Sequence, residues 1–188
     1  MSSSARLDRW PATAEEFLAT DQATFGTAWR YELVDGEIIA HAAPSPDHGA
    51  ITLNLSGALF NRLFGHPAGC RGETGSGAVP KRRQRPTARI PDVVICCGEH
   101  PRVVFEVLSP SELRRWRQRD RKRLDLQDVA GVHEIVEIHQ AEAAIHLYRR
   151  TDDGWTFTTA AGLDAALTLE SVGVQIPLAE VYRGLDVD

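Results

Sequence analysis

Cysteine is scarce: Cys70, Cys96 and Cys97 are the only three in 188 residues. None forms a CxxC pair, and Cys96 and Cys97, adjacent on a strand, would point to opposite faces. Both facts argue against a zinc cluster and against a disulfide framework. Long apolar runs are absent too. No window approaches the roughly 18 uncharged apolar residues of a membrane helix. The opening MSSSARLDRWPATAEEF lacks the apolar core of a secretion signal, so a cytoplasmic protein without membrane contact is expected. There is no internal repeat and no low-complexity segment beyond the opening serines. The remaining composition, 43% hydrophobic and 25% charged, is that of an ordinary globular protein. The length suits a single domain over 1–188, with its core at about 30–182 and residues 1–12 expected to be disordered.

The net charge of −5 argues weakly against a nucleic-acid partner, but the cations are unevenly placed. KRRQRPTAR (81–89) carries five and no acid, while LRRWRQRDRKR (113–123) carries seven against Asp120, leaving −16 on the rest of the chain. Such separation builds a basic surface on an acidic body, the footprint of a polyanion binder; the plainer alternative is two solvated basic stretches.

TAEEFLATD reads as a short helix capped by Thr13. RYELVDGEIIAHAA reads as a hairpin, with Asp35-Gly36 suited to a type I′ turn. In PSPDHGAITLNLSGALFNRLF, residues Ile51, Leu55, Ala58, Leu59 and Leu63 recur at helical spacing, with Ser45 or Asp47 as cap. A strand in CRGETGSGAV leads to the first basic stretch. ARIPDVVICC and RVVFEVL read as strands apolar on both parities, hence covered on both faces. A helix over about 111–129 ends at Gly131, and HEIVEIH, AAIHLYRR and WTFTTA follow as strands. The order implies an α/β fold with a mixed central β-sheet flanked by helices.

Two acids interrupt the strand pair PDVVICCGEHPRVVFEV. The short GEH loop forces the strands antiparallel, and centring it on Glu99 sets Cys97 opposite Pro101 and Asp92 opposite Glu106. Opposed carboxylates repel at about 4.5 to 5.5 Å, and their same-face neighbours Ile90, Val94, Val104 and Leu108 offer no compensating charge. A hard divalent cation, Mg²⁺ or Mn²⁺, answers the need, since it accepts one or two carboxylates and leaves room for phosphate oxygens. Otherwise each acid lies at a fraying strand end, solvated or paired with an arginine.

These residues resemble a known pattern. Pro91-Asp92 followed by Glu106 in EVL looks like the signature of the PD-(D/E)XK nuclease superfamily. YELVDGE, SPDHG, IPDVVI, VVFEVLSPS and GVHEIVEI, in this order, are similar to the Uma-two family of bacterial restriction-endonuclease-like proteins. The resemblance implies a restriction-endonuclease-like fold, Mg²⁺ held by Asp92 and Glu106, and hydrolysis of DNA phosphodiester bonds. It also shows a departure: Leu108 stands where the superfamily has lysine. A lysine on the following helix is thought to substitute in the resembled family, and the candidates are Lys122 and Arg123. Lys122 shares a stripe with Leu126 and Val129, so its stem can run inward towards the sheet, whereas Arg123 falls on the side of Trp116 and Asp120.

Further candidates are Glu32 in the YEL motif and Glu73 as auxiliary acids, and His48 as a loop anchor or phosphate contact. Lys81, Arg82, Arg83 and Arg85 are candidate phosphate contacts. Trp10, Trp29, Trp116 and Trp155 are scattered and read as core or interface anchors. The expectation is a metal-dependent endonuclease acting on DNA, dimeric because cutting a duplex usually needs two sites. The rival is a catalytically inactive module on the same scaffold, binding nucleic acid or protein.

Overall fold

The structure, a computed structural model, describes residues 11–25 and 30–187. Trp10, Trp29 and most of the segment expected to be disordered lie outside the described residues. Thr13 caps α1 (Ala14–Ala19) by accepting the Glu16 N–H, one of the donors that a helix start leaves open. β1 (Arg30–Val34) and β2 (Glu37–His41) form the expected hairpin, and Asp35 (φ 49°) and Gly36 (φ 81°) supply the two positive φ angles of its turn. Ser45 caps α2 (Pro46–Leu63), which buries Ile51, Leu55, Ala58, Leu59 and Leu63, the stripe given by their spacing.

The central sheet runs in the order β3 (Cys70–Glu73), β4 (Val93–Cys97), β5 (His100–Leu108), β6 (Glu134–His139), β7 (Ala144–Thr151) and β8 (Gly154–Ala161). Every neighbouring pair is antiparallel except β5 and β6, which are parallel and joined by a crossover containing α3 (Pro110–Arg114) and α4 (Trp116–Gln127). One face packs Ile95, Phe105 and Ile138 against α2, β9 (Ala166–Leu169), β10 (Val174–Pro177) and α5 (Leu178–Val181). On the other, Leu126 and Val129 cover Val104 and Ile135. Burial on both faces explains why β4 and β5 are apolar at both parities, each large side chain contributing about 1.5–3 kcal/mol.

Several expectations need correction. The strand after α2 is confined to Cys70–Glu73. The helix expected over 111–129 is broken at Arg115 (φ −92°, ψ 49°), because Ser109 and Glu112 close a capping box that holds α3 as a separate turn. Cys97 meets His100 rather than Pro101, since Gly98, at φ 65°, allows a two-residue turn. A register shift between Ile95 and Cys96 absorbs the difference, so Val93 still opposes Phe105, and Asp92, the residue before β4, donates its N–H to the Phe105 carbonyl. Cys70 and Cys97, register partners on β3 and β4 with Cα atoms 4.0 Å apart, are joined by a disulfide, whereas Cys96 is free and buried. The argument against cross-linking considered spacing along the chain, and the pairing is made across the sheet.

Candidate active site

Glu106 lies on β5 and Asp92 immediately precedes β4, where its N–H donates to the Phe105 carbonyl at 3.1 Å. Both side chains are buried. The positive charge that the hairpin itself lacks arrives from three other elements. Arg30 of β1 pairs with Asp92 Oδ1, and His48 Nε2 from the first turn of α2 lies 3.3 Å from Oδ2, which also accepts the Val107 N–H at 2.7 Å. Burial alone would raise the Asp92 pKa, but His48 and Arg30 hold it well below the ordinary carboxylate value. Relief of repulsion therefore does not require a metal ion, which corrects the charge argument made from the hairpin alone.

From α4, Lys122 Nζ reaches Glu106 Oε2 at 2.8 Å and Glu32 Oε1 at 2.9 Å. Burial disfavours its ammonium, yet the carboxylates of Glu106 and Glu32 overcome this and hold its pKa above the ordinary lysine value. Glu106 is pushed up to about 8 by burial, with the Asp92 and Glu32 charges adding to it and Lys122 opposing. Its Oε1 is buried and has no hydrogen-bond partner among the described residues. Arg123 turns elsewhere: it pairs with Asp120 at 2.8 Å and lies over the Tyr148 ring at 4.6 Å.

Glu32 is fully buried within this cluster. It accepts from Ile90 N–H at 3.0 Å and Arg89 Nη1 at 3.0 Å, with His41 Nε2 at 3.2 Å. Burial would raise its pKa, but Lys122, His41 and Arg89 keep it well below the ordinary value. Arg89 also binds Asp125 at 2.6 Å, which pairs with Arg83 as well. Arg83 is thus engaged internally, and Arg82 reaches Asp128 at 3.6 Å, while Lys81 and Arg85 are exposed. Glu73 stands apart, bound to Ser76 at 2.5 Å and Arg71 at 2.6 Å. Sequence reasoning missed Arg30, His41, Arg89 and Glu137. Only Glu137 carried a signal, an acid inside the apolar run EIVEI; the others are read only from the fold.

Among the described residues no group of three or more His, Cys, Asp or Glu side chains is arranged to hold a metal ion. The donor set of Asp92 and Glu106 nevertheless fits Mg²⁺, which needs only one or two carboxylates, and the unpartnered Glu106 Oε1 offers a hard oxygen. A cleft of about 290 Å³ opens over the cluster, its walls including Glu32, His41, Glu106, Arg119, Lys122 and Glu137.

A mixed sheet with an acidic hairpin at its centre and a lysine delivered from the crossover helix defines a nuclease-like fold. A crystal structure from Anabaena variabilis ATCC 29413, described as "a putative nuclease belonging to DUF820", matches this fold at a TM-score of 0.70 and 16% identity, over 91% of this chain and 97% of that one. The chain belongs to the Uma2 family, described as "Putative restriction endonuclease", which matches residues 14–179. It is also 28% identical over 170 residues to the uncharacterized protein slr1290 of Synechocystis sp. (strain ATCC 27184 / PCC 6803 / Kazusa), covering 83% of this chain and 85% of that protein.

Proposed function

We propose that the protein is a metal-dependent endodeoxyribonuclease hydrolysing DNA phosphodiester bonds. The observation that carries this reading is the contact of Lys122 Nζ with Glu106 at 2.8 Å, which supplies from α4 the ammonium that Leu108 withholds from β5. Asp92 and Glu106 would hold Mg²⁺ or Mn²⁺. Such an ion, when bound, lowers the pKa of a coordinated water and offsets charge building on the phosphate. Arg30 and His48 fix the rotamer of Asp92. Lys122, kept cationic beside Glu106 and the ionised Glu32, orients the attacking water and stabilises developing negative charge, and does not act as the base. Two strands must be cut in a duplex, which motivates a homodimer.

The engagement of both Asp92 oxygens by Arg30, His48 and Val107 favours a second reading, a nuclease-fold module that binds nucleic acid or protein without cutting it. Supercoiled and linear DNA incubated with Mg²⁺ or Mn²⁺ separates the two. Cleavage that is lost with EDTA and with Glu106→Gln, at unchanged circular dichroism, supports the nuclease. Salt-sensitive DNA binding with no cleavage in any substrate supports the module.

A further inference from the structure

Most cations around the cleft already have anionic partners. Lys122 is held by Glu106 and Glu32, Arg89 by Glu32 and Asp125, Arg121 by Asp35, and Arg123 by Asp120. Two are different. Arg115, at the break between α3 and α4, lines the cleft, is exposed and has no ion pair among the described residues. Arg119, one turn further along α4, has a buried Nε with no hydrogen-bond partner among the described residues, and its carboxylate neighbour, Glu137 Oε2, lies 3.9 Å away. Residues four apart lie about 6 Å apart along a helix, so Arg115, Arg119 and Lys122 form a row of cations that ends at Glu106.

Glu137 explains how Arg119 is aimed. It is the register partner of Glu106 on the parallel strand β6, so the two acids share a sheet face on adjacent strands. It is almost fully buried, and its polar neighbours all approach a single oxygen, Oε2, at long range: Tyr148 Oη at 3.4 Å, His146 Nδ1 at 3.6 Å and Arg119 Nε at 3.9 Å. A carboxylate so placed attracts the guanidinium without saturating it, leaving its N–H groups for an incoming anion. An arginine fork suits phosphate, which it can hold in two parallel hydrogen bonds.

We infer that Arg115 and Arg119 bind a backbone phosphate of the substrate beside the one being cut, with Glu137 as the positioning residue of Arg119. The inference deepens the nuclease reading and rests on it. It moves the phosphate contacts from the 81–85 segment, whose Arg83 is tied to Asp125, to the cleft face of α4.

The test is fluorescence anisotropy of a labelled DNA duplex without divalent ions, titrated at 50 and 200 mM salt. Arg115→Gln and Arg119→Gln should each weaken binding about tenfold and each reduce the salt slope by about one. Arg183→Gln, an exposed cation beyond α5 on the opposite side of the sheet, should change neither. Glu137→Gln should weaken binding when Arg119 is present and add nothing in an Arg119→Gln background, and Glu137→Asp should restore much of the loss. Wild-type binding with slopes unchanged in Arg115→Gln and Arg119→Gln overturns this inference alone, as does a loss carried instead by Arg82→Gln and Arg85→Gln. Failure of the wild type to bind DNA overturns this inference, while failure to cleave any DNA with Mg²⁺ or Mn²⁺ overturns the nuclease reading on which it rests.

Discussion

The single most informative residue is Lys122, because its stem crosses from α4 to the hairpin and its ammonium meets two buried carboxylates. Lys122→Met should lower the cleavage rate by about 10² to 10⁴-fold, the range for loss of a positioned catalytic group. Arg123→Gln should leave the rate within a few-fold of wild type; gel-based rates at matched protein concentration make the comparison. Glu106 provides a pH signature. Its pKa rises from an ordinary 4.5 to about 8 on folding, so between those values the folded chain holds a proton that the unfolded chain has released. Stability from this group is full below 4.5 and is lost as pH rises towards 8, by up to about 1.4 kcal/mol per pH unit. Urea midpoints in EDTA from pH 5 to 8 should fall more steeply for wild type than for Glu106→Gln. Asp92 has the opposite sign: its depressed pKa gives stability that is present above its ordinary value of 3.8 and is lost as pH drops further.

Elements differ in what holds them. β3 is short, and the Cys70–Cys97 disulfide ties it to β4 across 27 residues of chain. Closing a loop of that length restricts the unfolded chain by an amount worth about 3–4 kcal/mol in the chain-entropy account. Reduction, or Cys97→Ser, should therefore lower the thermal midpoint by several degrees without changing strand content by circular dichroism. The link between α4 and β6 depends on Gly131. At φ 82° it occupies a backbone conformation that disfavours side chains, and an added Cβ would stand 2.9 Å from the Pro101 carbonyl. Gly131→Ala should cost about 1–3 kcal/mol, seen as a lowered urea midpoint. The same link sets the approach of α4 to the hairpin, so cleavage should fall with it.

At the scale of the molecule, the six-stranded sheet is a frame on which three separate elements converge on one hairpin: β1 with Arg30, α2 with His48 and α4 with Lys122. No described helix is long and apolar enough to cross a membrane. If the nuclease acts as a homodimer with one site per strand, mixing wild type with excess Lys122→Met protein should convert double-strand cuts of supercoiled DNA into nicks. Sedimentation velocity should show a species of twice the 20.7 kDa chain mass; a monomer that still cuts both strands would refute the dimer.

Much of this was determined by local sequence. The caps at Thr13 and Ser45, the Asp35-Gly36 turn, the buried stripe of α2 and the antiparallel pairing of Val93 with Phe105 depend on contacts a few residues apart or on one hairpin, and periodicity and turn chemistry encode these directly. What surrounds the acids was decided by tertiary structure. Arg30 is 62 residues from Asp92, and Arg89 is 57 from Glu32 and 36 from Asp125, so no spacing rule could pair them. The disulfide and the long-range contacts of Glu137 belong to the same class. Charge can be counted along a chain, but its compensation in a buried site depends on which side chains the packed sheet and helices bring within a few ångströms.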